Sequence, residues 1–215
     1  MNQQSGIFIT VEGSDGAGKG SNIEVIRDWF ESRSRAVILT REPGGTLLGE
    51  NIRDLLLNKN SAPVSPMAEL LLMFAARSQH IEEVIQPAVS EGRVVISDRF
   101  TDASFAYQGG GRGLTLTKIE QLKTLVQAEL QPDLTLLLDV SVNVGLSRVV
   151  NRGESDRFDA ETIDFKTRVR ESYLQLARNE PDRIVNINAD RTLASVQQEI
   201  KIVLEARFSD AISST

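Results

Sequence analysis

The sequence predicts an α/β fold: a doubly wound, five-stranded parallel sheet flanked by helices, in a single domain over residues 1–215. Three observations predict it. Strand-like runs alternate with helix-like runs along the whole chain, the order that gives right-handed crossovers and a parallel sheet. The strand candidates Ile7–Glu12, Ala36–Thr40, Val94–Asp98, Leu134–Val140 and Ile184–Ile187 are almost continuously apolar, as strands covered on both faces must be. The first of them opens into a glycine-rich turn followed by helix-like sequence, the arrangement that places an anion at a helix N-terminus.

The helical candidates between the strands are Ser21–Glu31, Gly49–Leu57, Ala68–Val89, Leu116–Glu129, Val142–Val150, Thr162–Arg178 and Leu193–Arg207, with a tail at 209–215 expected to fray. Prolines mark most boundaries, although Pro87 falls near a helix end. In an open sheet of this kind ligands gather beyond the carboxyl ends of the strands. That edge collects Gly13–Ser21, Arg41–Gly45, Asp98–Phe100 and Asp139.

The bulk properties exclude several classes of function. Net charge is −6, so the chain lacks the basic surplus that broad binding to a nucleic-acid backbone requires. There is no cysteine, which excludes disulfides, thiolate nucleophiles and Cys-type metal sites. The single histidine, His80, rules out a multi-histidine metal cage and reads as a packed or capping residue within the helical stretch Ala75–Ile85. No signal peptide is visible, and the longest apolar segments, around Leu70–Ala76 and Leu134–Val140, are too short to span a bilayer. The expected location is the cytoplasm. Chemistry must come from carboxylates, arginines, a lysine and a borrowed metal.

Gly13 to Lys19 has the spacing G-x-x-x-x-G-K. Gly13, Gly16 and Gly18 free the backbone to turn consecutive N–H groups inward around a phosphate chain, with Ser14, Asp15 and Ala17 between them. Lys19 then reaches the terminal phosphates. The hydroxyl residue expected after the lysine is replaced by Gly20 and arrives one place late, at Ser21. Two buried strands end in a carboxylate, Asp98 and Asp139, where one can hold Mg²⁺. Asp98 is favoured because Arg99 beside it suits an acceptor phosphate. Thr40–Gly45 closes the second strand with Arg41, Glu42 and a tight turn, and reads as a functional loop. Arg148, Arg152 and Arg157 form an arginine-bearing lid over about residues 148–160, with Gly153 allowing it to move. Gly109–Gly113 has no strand before it and no lysine after it, and is expected to be a flexible surface loop.

Taken together, Glu12–Ser21, Thr40–Thr46, Asp98-Arg99-Phe100, the run Ala106–Gly113 and the segment Arg152–Arg157 resemble the bacterial thymidylate kinases, P-loop kinases of nucleoside monophosphates, over nearly the whole chain and in the same order. The resemblance implies transfer of the γ-phosphoryl group of ATP to dTMP with Mg²⁺, in a homodimer. It implies that residues 13–20 hold the ATP phosphates and that Lys19 follows the migrating group. Glu42 and Asp98 would organise metal and water, and Arg53 and Arg99 would grip the dTMP phosphate near Asp15. Arg77 would bond the thymine edge, with Met73 or Phe74 packed on its face. Ser104, Tyr107 and Gln108 would line the nucleoside side, Tyr107 disfavouring a 2′-hydroxyl. Arg148, Arg152 and Arg157 match the lid of the form whose phosphate loop carries no arginine.

The chain departs from that family pattern at Gly20 and at Ala103, which stands where many relatives carry serine and leaves Ser104 as the polar contact. The alternatives are a kinase of another pyrimidine nucleotide, or a nucleotide-binding protein with weak catalysis because of Gly20. A guanine-reading switch protein would need Asn-Lys-x-Asp, and Asn58–Ser61 lacks the aspartate.

Overall fold

In the computed structural model the described residues are 5–58, 63–152 and 157–213. Five parallel strands form one sheet in the order β2-β3-β1-β4-β5, from β1 (Ile7–Glu12), β2 (Val37–Arg41), β3 (Val94–Asp98), β4 (Leu134–Asp139) and β5 (Ile184–Asn188). Pleating sends Ile7, Ile9 and Val11 to one face, against Ile26 and Phe30 of α1 (Lys19–Glu31) and Ile200 and Leu204 of α9 (Leu193–Ser213). Phe8 faces the opposite side with Val95, Phe100 and Ile85, where Thr10 and Glu12 are also fully buried. Both faces are covered, which is why β1, β3 and β4 read as almost continuously apolar runs. β1 lies between β3 and β4, so the turn after β1 sits beside Asp98 and Asp139 at the ends of its neighbours.

Helix starts follow their caps. Thr46 accepts from the Gly49 N–H at 3.0 Å and begins α2 (Leu47–Leu57) earlier than the apolar pattern indicates. Ser65 caps α3 (Pro66–His80), with Pro66 in the first turn. The single helix expected over 68–89 is divided: a π-helical turn, Ile81–Ile85, joins α3 to α4 (Gln86–Ser90). Pro87 accounts for the break, since its ring displaces the carbonyl one turn earlier and it offers no N–H. α6 (Leu116–Gln127), α7 (Val142–Arg152) and α8 (Ile163–Asn179) fall close to their expected spans. α9 continues to Ser213, beyond the fraying expected from residue 209.

One segment overturns the expectation outright. Gly109–Gly113 is not a flexible surface loop. α5 (Thr101–Ser104) runs into a π-helical segment, Phe105–Gly111, in which Gly109 and Gly111 are buried against α6 and α8. A Cβ on Gly111 would lie 2.5 Å from the Phe165 ring, and one on Gly110 would strike the Ser172 hydroxyl. Arg168 of α8 donates to the carbonyls of Gly110 and Gly111, at 3.1 and 2.8 Å. The glycines permit close packing of helix on helix, a role that low helix propensity conceals. The wide π turn also brings the adjacent residues Tyr107 and Gln108 to one cleft.

Candidate active site

The loop after β1 has the backbone its glycines require. Gly13, Gly16 and Gly18 have φ of 139°, 81° and 82°, where side chains are strained. Space is also lacking, since a Cβ on Gly13 would lie 2.5 Å from the Leu138 carbonyl oxygen and one on Gly16 would meet the Gly145 backbone. The Lys19 ammonium folds back onto the Gly13 carbonyl at 3.2 Å and lies 4.0 Å from Asp98 Oδ1. Burial, and then the positive field of Arg99, lower its pKa. The position therefore favours a negatively charged ligand. Ser14 and Asp15 sit at the loop's inner rim, Ala17 is buried and Ser21 is exposed on α1. At Gly20 a Cβ would meet nothing within 4 Å.

The two strand-end carboxylates differ sharply. Asp139 is gripped by the Arg170 guanidinium, Nε to Oδ1 at 2.6 Å and NH2 to Oδ2 at 2.9 Å. Among the described residues Asp98 has no such partner, and its buried Oδ1 makes no hydrogen bond. An orphaned carboxylate oxygen beside the phosphate loop suits a hydrated Mg²⁺ that binds largely through substrate phosphates.

Arg99 follows Asp98 with φ of 70°, a strained value for a side-chain-bearing residue. Its neighbours hold it there. Its N–H donates to Val11 O at 3.0 Å, the Ser97 hydroxyl to its carbonyl at 2.7 Å, and the Phe100 N–H to Glu12 Oε1 at 2.7 Å. The guanidinium is thereby aimed at Asp15 Oδ1, 2.7 Å away, and at the Tyr107 hydroxyl, 3.0 Å away. Burial alone would raise the Asp15 pKa, but Arg99 and then Lys19 outweigh it and hold the carboxyl below its usual range. Burial pushes the Tyr107 phenol up, so it remains a neutral donor.

Beyond Arg99 opens a cleft of about 510 Å³, bounded by Asp15, Arg53, Met73, Arg77, Ser104, Tyr107 and Gln108 among others. These sequence-expected acceptor residues therefore converge from the phosphate loop, α2, α3, α5 and the π-helical segment. Arg77 is only 2% exposed, and each of its three nitrogens donates a hydrogen bond: Nε to Glu42 Oε2 at 2.7 Å, NH1 to Ser104 Oγ at 3.2 Å, NH2 to the Phe100 carbonyl at 3.1 Å. Of the two stacking candidates, Met73 lines the cleft, whereas Phe74 lies under the Arg77 guanidinium, 4.5 Å from it. Arg53 donates to the Pro43 carbonyl at 2.9 Å; burial, then Arg41 and Arg99, depress its pKa, so the surrounding field is positive.

Two expected roles meet a different geometry. Glu42, expected to organise metal and water, gives Oε2 to Arg77 and Oε1 to His80 Nδ1, 2.9 Å away. Its carboxylate holds Arg77 in the wall of the cleft. Arg157, expected at the ATP phosphates, donates instead to the Leu56 carbonyl at 2.8 Å and to Glu69 Oε2 at 2.5 Å, on the acceptor side. Arg148 does face the loop, donating to the Gly16 carbonyl at 3.2 Å and the Ala189 carbonyl at 3.1 Å. The Arg152 side chain and residues 153–156 of the expected lid lie outside the described residues.

Sequence reasoning missed Leu57 and Phe158, which close the cleft, and the buried carboxylates Glu12 and Glu69. Glu12 shows a legible signal, a charged residue ending a fully buried strand. Burial, with the nearby Asp102 charge, pushes its carboxyl up to about 8, against hydrogen bonds from Tyr173 and the Phe100 N–H.

The sequence model described as Thymidylate kinase matches residues 11–200. The chain belongs to the thymidylate kinase family. A thymidylate kinase of Ruthia magnifica is 52% identical over 202 residues, covering 94% of this chain and 98% of that protein. One of Neisseria gonorrhoeae is 53% identical over 201 residues, covering 94% and 97%. The crystal structure of thymidylate kinase from Ehrlichia chaffeensis superposes with a TM-score of 0.76 at 33% identity, covering 93% of this chain and 99% of that one. The expected α/β fold of a P-loop nucleoside monophosphate kinase thus holds, and the chain is a nucleotide-binding kinase. No helix among the described residues is long and apolar enough to cross a membrane.

Proposed function

We propose that this chain transfers the γ-phosphoryl group of ATP to dTMP, giving dTDP and ADP. The observation that carries the reading is the junction at Asp15 and Arg99, which belongs at once to the phosphate loop and to the acceptor cleft. A donor phosphate on one side and an acceptor phosphate on the other would meet there. The backbone N–H groups from Gly13 to Ser21 and the α1 N-terminus bind the donor phosphates, and Lys19 stabilises charge on the group in flight. Arg53 and Arg99 orient the acceptor phosphate, and Arg148 with Arg152 serve the donor side. Met73, Arg77, Ser104 and Gln108 receive the base, and Tyr107 fills the space a ribose 2′-hydroxyl would need. Asp98 would hold Mg²⁺, directly or through water, and that ion neutralises phosphate charge when bound. Glu42 supports the base-side wall through Arg77.

Turnover in a coupled ADP-release assay with dTMP, dUMP, dCMP and dGMP is expected to favour dTMP strongly. Preference for another acceptor, or ATP binding with no transfer, would overturn the reading. The resemblance further implies a cytoplasmic homodimer built from one kinase domain. Exposed Leu48 and Leu55 on α2 and Leu71 on the adjoining α3 offer apolar surface for pairing, and light scattering in solution tests it.

A further inference from the structure

Glu69 is fully buried in α3, yet no part of the chemistry above uses it. Its oxygens collect donors from two distant segments. Oε1 accepts from Gln108 Nε2 at 2.9 Å and from Arg112 Nε at 3.2 Å, and Oε2 accepts from Arg157 NH2 at 2.5 Å. Two guanidiniums flank it, and a carboxylate paired in this way only accepts hydrogen bonds. The amide of Gln108 must therefore turn its NH₂ group towards Glu69, whichever way the two ends of an amide are drawn. Its carbonyl oxygen is left for the cleft, which Gln108 lines beside Ser104 and Arg77.

We infer that Glu69 is a specificity-determining positioning residue: by locking the Gln108 amide it makes the base-side wall present a hydrogen-bond acceptor. This rests on the pyrimidine-nucleotide reading above. A thymine-type base carries an N3–H donor that such a carbonyl satisfies, whereas cytosine carries a lone pair at N3 and would leave two acceptors facing each other. Were the amide free to flip, its NH₂ group would suit cytosine. Arg112 has a second carboxylate partner, Glu161, at 2.5 Å, and Arg157 also bonds the Leu56 carbonyl. Neutralising Glu69 therefore leaves both arginines with a partner.

The test is Glu69→Gln, which keeps the shape but offers both donor and acceptor to Gln108. The ratio of kcat/KM for dTMP over dCMP is expected to fall about tenfold, the worth of one hydrogen bond of this kind, with KM for ATP unchanged. In a Gln108→Met background the same change should move the ratio no further, since Glu69 acts through that amide. An unchanged ratio in folded Glu69→Gln overturns the inference. If that variant does not fold, Gln108→Met alone decides, because a retained ratio there also overturns it. Calorimetric binding of dTMP and dCMP carries the same comparison without turnover. Absence of transfer by the native chain, with discrimination intact in binding, would then count against the proposed function and not against the role of Glu69.

Discussion

Replacing Arg77 by Met tests the base-side wall most severely. The substitution preserves most of the side-chain volume while deleting donors to Glu42, Ser104 and the Phe100 carbonyl. Glu42, only 4% exposed, would keep His80 as its single side-chain partner. Breaking a buried ion pair from one side costs about 3–5 kcal/mol, because the surviving charge is left uncompensated. At roughly 2–4 °C per kcal/mol for a chain of this size, Tm should fall by about 6–20 °C. The cost belongs to the orphaned carboxylate and not to lost packing, so adding Glu42→Gln should restore part of it. Denaturant unfolding of the two single variants and the double variant yields the coupling directly. In steady-state kinetics KM for dTMP should rise while KM for ATP holds, because none of these groups faces the phosphate loop. Additive losses in the cycle, or a single variant less than about 1 kcal/mol below the native chain, would refute a buried pair that matters.

Lys19→Ala should lower kcat by about 10²–10³, since a preorganised charged donor is worth about 3–4 kcal/mol; near-normal turnover in the folded variant would remove the loop from the chemistry. Glu12 gives a pH dependence of definite sign. Its folded pKa of about 8 exceeds the ordinary 4.5, so the stability it contributes is complete below about 4.5 and is lost as pH rises through about 8. Glu12→Gln lacks that loss, and its stability relative to the native chain should climb between pH 5 and 9 in parallel denaturation curves; a constant difference would contradict the assignment. Gly20→Thr should be accommodated, because nothing lies within 4 Å of a Cβ there, and should let turnover saturate at lower Mg²⁺ with unchanged KM for dTMP. If only that variant transfers phosphate, the native chain is a binding protein.

The parts of the fold legible in the sequence are those where one local force decides. β1, β3 and β4 announce themselves because burial on both faces favours almost continuously apolar runs. The phosphate loop does so because its glycines answer to backbone geometry that strains residues with side chains. The segment Phe105–Gly111 was illegible for the opposite reason. Its glycines disfavour helix locally, and only the approach of α8, through Phe165 and Ser172, shows why they are needed. The division of the expected helix at Ile81–Ile85 likewise depends on how a chain absorbs a proline, which the residue alone does not specify.

The site shows the same division at finer scale. Residue type was enough to separate carboxylates and arginines from the core, but not to say which would meet. Asp98 and Asp139 end their strands alike, and only Arg170, reaching in from α8, occupies one and leaves the other free for a cation. Glu42 and Arg77 are 35 residues apart, and only the fold shows that the carboxylate expected beside the metal is the partner of a buried arginine in the cleft wall. A cluster of arginines around Asp15, Glu42 and Glu69 is therefore not a diffuse positive patch. Arg77 is bonded to Glu42, Arg99 to Asp15, and Arg112 and Arg157 to Glu69, so each guanidinium is held in one orientation before any phosphate arrives. Such preorganisation makes the field available to a transition state without reorganisation at the moment of transfer. It also explains why these carboxylates are placed as carefully as the arginines they hold.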